Sequence, residues 1–278
     1  MAMRKYSEVD VFSPTAYLGN PLAVVHDAEG LASGQMQGFA KWTNLAETTF
    51  LMQPEDPAAD YRVRIFSATQ EFPFAGHPTL GSAFAWLKAG GVPKKKGRVI
   101  QECAAGLVEV RVEPQRLWFA APPLTRYEPV AELLVQRIAE VLAIPREQIQ
   151  DASWLVNGPE WIGVRLSSAQ QVLALDPDPN ALGTLAIGVA GPQEPEAGTQ
   201  FEVRAFVGGD PVWEDPATGS LNAGLARWLA DSGLAPERYI AAQGTAIGYQ
   251  GRVHLRVEDG VVWVGGDVNS CVQGEVDL

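Results

Sequence analysis

"FPFAGHPTLGSAFAWL", residues 72–87, and "WEDPATGSLNAGLARWL", residues 213–229, are two versions of one pattern. Each runs through Pro, Gly and small polar groups into a helix that is apolar on nearly every side. Leu80, Ala83, Phe84, Trp86 and Leu87 leave little polar face in the first; Leu221, Ala223, Leu225, Trp228 and Leu229 leave hardly more in the second. A helix without a polar face is a buried helix. Two of them, half a chain apart and opening alike, each need a sheet to cover them.

The flanking sequence repeats in step. "YRVRIF" from Tyr61 matches "FEVRAF" from Phe201, 140 residues on; Gly76 and Gly81 match Gly219 and Gly224 at 143; "VEVRVEPQRLWF" from Val108 matches "VHLRVEDGVVWV" from Val253 at 145. A weaker pair, "GNPLAVV" from Gly19 and "GPEWIGV" from Gly158, lies at 139. Segments recurring in one order at a slowly drifting offset are the mark of a tandem duplication whose loops differ by a few residues. The period-two alternation of "YRVRIF" and "FEVRAF" predicts half-buried strands. Hairpins are expected to turn at Glu113-Pro114-Gln115 and at Glu258-Asp259-Gly260. "LASGQMQGFAKWTN" reads as an amphipathic helix capped by Ser33, and "PVAELLVQRIAEVL" as a surface helix. The expected fold is α+β. Two pseudo-symmetric halves, residues 1–122 and 123–278, are each a barrel-like, mostly antiparallel β-sheet around one central helix. They join through "APPLTRYEPV" at 121–130, with the last strand free to return to the first half.

Composition narrows the function. With 278 residues and 46% hydrophobic content, the chain can fill a full core. It has no apolar run long enough for a membrane span, and "MAMRKYSEVDVF" has no apolar stretch before Asp10, so no secretory leader is expected. Two cysteines, Cys103 and Cys271, are too few for a disulfide scaffold and lack zinc spacing, which points to a reducing cytoplasm. A net charge of −12 argues against a nucleic-acid partner. The one basic run, Lys94 to Lys96, follows Gly90, Gly91 and Pro93 and reads as a solvated loop. His26, His77 and His254 are too widely spaced for a zinc site. Neither GxGxxG nor GxxxxGK occurs, which disfavours a nucleotide cofactor, and no GxSxG supports a serine hydrolase.

What remains is the chemistry of the helix mouths. A helix N-terminus presents unpaired N–H groups and partial positive charge. His77 precedes Pro78, read here as the first helical residue, and Ser220 holds the equivalent place in the second half. Gly76 and Gly219 let a ligand approach the backbone. If both mouths converge on one cleft, it suits a small carboxylate. The competing reading makes Asp215 an N-cap followed by a first-turn Pro216, and His77 a cap as well. Against it, Asp215, Thr218 and Ser220 crowd the mouth more than a cap requires. A third candidate is Glu47 in "TNLAETTFLMQ", where a helix passes into the strand Thr48–Met52 beside Leu45 and Phe50. Partial desolvation there would raise its pKa toward that of a general acid or base; the alternative is a strand-edge glutamate in water. The matching part of the second half, taken as "SSAQQVLAL", offers no carboxylate, so Glu47 would be a single proton carrier in an otherwise symmetric cleft.

"DVFSPTAYLGNPLAVV", "NLAETTFL", "EFPFAGHPTLGSA" and "EDPATGSLNAG" together resemble the PhzF family of phenazine-biosynthesis-like proteins, in the same order and spacing, over nearly the whole chain. The resemblance implies the diaminopimelate-epimerase-like fold, an active site between the halves, a homodimer and no cofactor. It also implies a glutamate that moves a proton between carbons of dihydro-3-hydroxyanthranilate, here Glu47. The supporting residues carry over to His77, Asp215 and Ser220, with Gly76 and Gly219 as backbone donors and Thr218 beside them. Epimerases of this fold place a cysteine base at each mouth. Here the mouths read Phe74-Ala75-Gly76 and Pro216-Ala217-Thr218, so two-cysteine epimerisation is not expected, and Cys103 and Cys271 read as inert packing residues. The expected function is a cofactor-independent isomerase acting on a small carboxylic acid, without metal, nucleic acid or membrane. The alternative is a non-catalytic small-anion binding protein that keeps the cleft.

Overall fold

The computed structural model describes residues 2–209 and 212–278. The chain forms two compact units, residues 2–120 with 265–278, and the intervening segment from 121 to 264. The first contains β1 (Met3–Val11), β2 (Asn20–Val25), α1 (Ser33–Thr43), β3 (Glu47–Met52), β4 (Tyr61–Phe66), β5 (Glu71–Phe72), α2 (Gly76–Lys88), β6 (Arg98–Cys103), β7 (Gly106–Val112) and β8 (Leu117–Ala120). The second begins with β9 (Arg126–Pro129), α3 (Glu132–Val141), β10 (Asp151–Val156), β11 (Trp161–Arg165), α4 (Ala169–Leu173) and β12 (Ala186–Pro192). It continues with β13 (Phe201–Val207), β14 (Glu214–Asp215), α5 (Gly219–Asp231), β15 (Arg238–Gln243), β16 (Gly251–Glu258) and β17 (Val261–Gly266). The final strand, β18 (Val268–Asp277), returns to the first unit and pairs antiparallel with β1.

The two units are built by one succession of pairings. In the first, β2 and β3 run parallel across α1, β3 pairs antiparallel with β4, β4 with β5, and β4 then runs parallel to β6 across α2. In the second, β11 and β12 run parallel across α4, β12 pairs antiparallel with β13, β13 with β14, and β13 runs parallel to β15 across α5. Parallel neighbours need a crossover, and in each unit the second crossover is the apolar helix. Helix α2 touches β1, β2, β3, β6, β7, β8 and β18, so the sheet curls around it; α5 packs on β10, β11 and β16. Shorter helices cover the outer faces. Met36, Phe39 and Ala40 of α1 pack on Val25, Phe50 and Phe66, and Val135, Ile138 and Val141 of α3 pack on Ile162, Val164 and Ile187.

The repeated glycines have a steric reason. A Cβ at Gly81 would stand 2.5 Å from Leu22 Cδ2 and 3.0 Å from Val9 Cγ2, and one at Gly224 would stand 2.8 Å from Leu155 Cβ. Each central helix therefore lies against its sheet at backbone distance. Gly81→Val is expected to lower the unfolding free energy by about 1–3 kcal/mol, the usual cost of overpacking. Gly38→Ala in α1, where nothing lies within 4 Å, should be neutral or stabilising. Urea unfolding midpoints test this, and equal midpoints for Gly81→Val and wild type would remove the argument.

Several expectations are corrected. Ser33 does not cap α1: the N-cap is Ala32, whose N–H is taken by the Gln35 side chain, while Ser33 Oγ accepts from Arg64. The cap must have extended backbone, and the chain turns helical one residue too early for Ser33 to serve. "FEVRAF" is not half-buried; Glu202 and Arg204 are buried too, because α4 covers the outer face of β13. The segment at 121–130 is partly β9, which pairs with β10. The register also relocates the counterpart of Glu47. Leu22 pairs with Glu47 as Trp161 pairs with Ala186, so Ala186 holds the equivalent place, whereas "SSAQQVLAL" contains α4. The hairpin turn at Asp259-Gly260 has both residues at positive φ, as a two-residue turn requires. Among the described residues no helix is long and apolar enough to cross a membrane.

Candidate active site

Glu47 opens β3 and His77 is the second residue of α2. The pairing of β3 with β2 sets Glu47 beside Leu22, the residue that packs against Gly81 of α2. Further along, Ser82 Oγ donates to Thr49 Oγ1 at 3.0 Å, tying α2 to β3. This brings the Glu47 and His77 side chains together, with Nδ1 to Oε2 at 3.4 Å. His77 is 6% exposed and Glu47 16%.

This contact is not an ion pair. Burial pushes the His77 pKa down to about 3, with the Pro21 carbonyl opposing the shift. The imidazole is therefore neutral at physiological pH, and at 3.4 Å the contact is longer than a formed hydrogen bond. A protonated histidine would hold the carboxylate as a counter-ion and weaken it as a base; a neutral one leaves the carboxylate basic.

Helix α2 starts at Gly76, with Ala75 as N-cap, so His77 is not a cap and Pro78 is the third helical residue rather than the first. Thr79 N and Thr79 Oγ1 both donate to Ala75 O. The first-turn donors without an intrahelical acceptor are then the N–H groups of Gly76 and His77, since Pro78 has none. Behind the mouth, Gln101 Nε2 donates to Thr79 Oγ1 at 3.0 Å and Tyr61 OH donates to Gln101 Oε1 at 2.9 Å.

The mouth of α5 follows the same plan with different side chains. Thr218 is the N-cap residue, so the capping reading of Asp215 fails; Asp215 lies three residues upstream in β14. Thr218 Oγ1 donates to Asp215 Oδ2 and accepts from Gln243 Nε2 at 2.9 Å. Gln243 Oε1 accepts from Thr218 N at 3.1 Å and from Asn222 Nδ2 at 2.8 Å. The Gln101–Thr79 and Gln243–Asn222 pairs are thus one device used twice. Ser220 Oγ accepts a hydrogen bond from Trp161 Nε1 at 3.0 Å, and Ser220 O accepts from Asn157 Nδ2 at 2.8 Å. With a lone pair taken by the indole, the Ser220 hydroxyl is left to donate its proton, the polarity that suits a carboxylate.

Within the first unit the structure unites Glu47, His77 and Gly76; within the second it unites Asp215, Thr218, Gly219 and Ser220. Sequence reading missed Trp161, Asn157, Gln101 and Gln243. The recurrence of Gln101 and Gln243, 142 apart, was the available signal. Cys103 is buried and Cys271 half-buried. Burial raises both thiol pKa values, so both stay protonated and neither stands at a helix mouth. Cys271 is not a packing residue of the core, because β18 lies largely exposed.

Comparison with known proteins agrees with this architecture. The family model described as phenazine biosynthesis-like protein matches residues 9–274. The chain is 34% identical to trans-2,3-dihydro-3-hydroxyanthranilate isomerase of Pseudomonas aeruginosa, covering 92% of this chain and 91% of that protein. It is also 34% identical to antisense-enhancing sequence 1 of Schizosaccharomyces pombe, over 99% of each. Among solved structures, the PhzF-family protein of Bacillus anthracis superposes with a TM-score of 0.84 at 19% identity, over the full length of both chains. A hydroxyproline epimerase from Agrobacterium vitis shares the fold at a TM-score of 0.62 and 12% identity, covering 99% of this chain and 92% of that one. With a family match over almost its whole length and isomerases among its relatives, the chain belongs to the phenazine biosynthesis-like PhzF family and is an isomerase.

Proposed function

We propose that the protein moves a proton between carbons of a small carboxylic acid, with Glu47 as the single base and acid and without a cofactor. The observation that carries this reading is the contact between a shielded carboxylate and a neutral, buried imidazole at the mouth of α2. Glu47 takes a proton from a carbon made acidic by a neighbouring carbonyl or enamine and returns it elsewhere on the same face. His77, neutral and buried beside the carboxylate, leaves the base unneutralised. The Gly76 N–H at one mouth, and the Gly219 N–H with the Ser220 hydroxyl at the other, are donors suited to a carboxylate, and Asp215, steadied by Thr218, is suited to orient a polar substrate group. No cysteine stands at either helix mouth, which supports proton transfer by Glu47 over two-cysteine epimerisation.

The test is solvent deuterium wash-in to trans-2,3-dihydro-3-hydroxyanthranilate, the compound named for the Pseudomonas relative, and to related cyclic amino and hydroxy acids. The expected outcome is deuterium incorporated at carbon in at least one of these acids. Binding of these acids with neither deuterium incorporation nor conversion to an isomer in any of them would establish the alternative, a protein that holds small anions without turning them over.

A further inference from the structure

Each unit carries the same three-residue clamp behind its helix mouth. In the first, Arg64 on β4 donates from Nε and Nη2 to the two carboxylate oxygens of Glu71 on β5, at 2.7 and 2.6 Å, and its guanidinium lies 5.0 Å from the Phe66 ring centroid. In the second, Arg204 on β13 makes the same two bonds to Glu214 on β14, both at 2.8 Å, and lies 4.8 Å from the Phe206 ring. The members correspond through the duplication. Their surroundings do not. The Arg64 and Glu71 side chains are 26% and 36% exposed, whereas those of Arg204 and Glu214 are 5% and 3% exposed. Arg204 Nη1 also donates to Leu175 O, just beyond α4.

A buried ion pair usually stabilises no more than an apolar pair of the same volume, because both charges lose their water. Its retention therefore needs another reason, and the next residue supplies one. Glu71 is followed by Phe72, but Glu214 is followed by Asp215. Strand β14 has only two residues, and adjacent strand residues face opposite sides. A slip of one residue would exchange their faces. In β5 one residue is charged and the other apolar, so burial alone selects the register. In β14 both are carboxylates, and hydrophobicity cannot tell them apart.

We propose that the buried Arg204–Glu214 pair is the register selector for Asp215. The planar fork of Arg204 takes a carboxylate at the reach of glutamate, with two parallel bonds that the shorter aspartate side chain does not match. Glu214 is thereby drawn to the buried side opposite Phe206, and Asp215 is left opposite Ala205 with the Thr218 hydroxyl on its carboxylate. Arg204 is a positioning residue: it acts on the reaction through Asp215. The inference rests on the assignment of Asp215 to the site made above, while the register itself is a matter of geometry.

The test compares Arg204→Met with Arg204→Met/Glu214→Leu, by crystal structure and by deuterium wash-in at a temperature below the melting point of each. In the single variant Glu214 loses the fork that holds it on the buried side, and only the Thr218 and Gln243 contacts of Asp215 still oppose an exchange of the two carboxylates. The 214–215 segment should shift or split between two arrangements, the Asp215–Thr218 bond should be lost, and exchange should fall about 100-fold, the cost of misplacing a site group by about 1 Å. In the double variant the apolar side chain introduced at position 214 is driven inward by its own hydrophobicity. The Asp215–Thr218 bond and nearly all the exchange rate should return, although Arg204 is still missing. A pair acting only through its charge, or only as a brace, would not be rescued this way. Arg64→Met alone should leave exchange unchanged, because Glu71 and Phe72 still differ in polarity and hold the β5 register without it. Should Arg204→Met fail to fold, Arg204→Lys, which keeps the charge and loses the fork, replaces it with the same expectations. The proposal is overturned if the single variant keeps the Asp215–Thr218 bond at full rate, or if the folded double variant is not rescued. Full exchange in Asp215→Asn would instead overturn the site assignment and leave the register result standing, since that is read from the structures.

Discussion

Glu47→Gln is expected to abolish deuterium exchange into substrate while leaving the protein folded and able to bind. The amide has the shape of the carboxylate and can still meet His77 Nδ1, but it cannot accept a proton at neutral pH. A positioned general base contributes a factor of about 100 to 10,000, and the rate should fall by that much. Ligand affinity should stay within about tenfold, or about 1.4 kcal/mol, because substrate binding is assigned to the helix N–H groups and to Ser220. Glu47→Asp should fall between the two, since the carboxylate persists but is withdrawn from His77 by one methylene. A glutamate serving only to hold the strand would give another pattern: a small change in stability and none in exchange. Undiminished exchange in Glu47→Gln would end the proposed mechanism, even with the family assignment intact.

The second large effect is on acid stability. His77 titrates at about 3 in the folded protein and near 6.5 when unfolded. Its folded pKa is depressed, so the neutral form is the one that folding favours. Above about pH 6.5 both states carry neutral His77 and no stability is lost. As the pH falls from about 6.5 toward 3, the unfolded chain takes up a proton that the folded chain refuses. Stability then drops by about 1.4 kcal/mol per pH unit, to a total of about 5 kcal/mol. His77→Gln stays neutral throughout and removes this contribution. The slope of unfolding free energy against pH, measured by urea titration, should differ between wild type and variant by nearly one proton around pH 4 to 5. Burial also depresses His26, which is present in both proteins and cancels. Equal slopes would mean that the folded protein protonates His77, and Glu47 would then have a charged neighbour after all. The same neutrality predicts that wild-type exchange shows no imidazole titration between pH 5 and 8.

The duplication was legible in the chain because its signals are local. Apolar periodicity marked the two buried helices, alternation marked β4, and the drifting offsets aligned the halves without any structure. Gly81 and Gly224 could be noticed as a repeated pair, although Leu22 and Leu155, which forbid a Cβ there, are 59 and 69 residues away. Glu47, His77, Asp215 and Ser220 could be nominated from residue type and place at a helix mouth. What each does to its neighbours could not. The neutrality of His77 depends on burial summed over many segments, and the true counterpart of Glu47 depends on register between β11 and β12.

The clamps show the division most clearly. Arg64 and Arg204 are alike in sequence, as are Glu71 and Glu214, and the alternation in "FEVRAF" predicted a half-exposed strand. The covering helix α4 buries one clamp, while the other stays at the surface. The sequence by itself determined which elements form and that they form twice, because helix and strand periodicity and turn chemistry act over a few residues. Only the tertiary structure decided which charges lose their water, which carboxylate faces Thr218 and which histidine stays neutral. Desolvation belongs to the whole packed environment, to which residues far apart in the chain contribute.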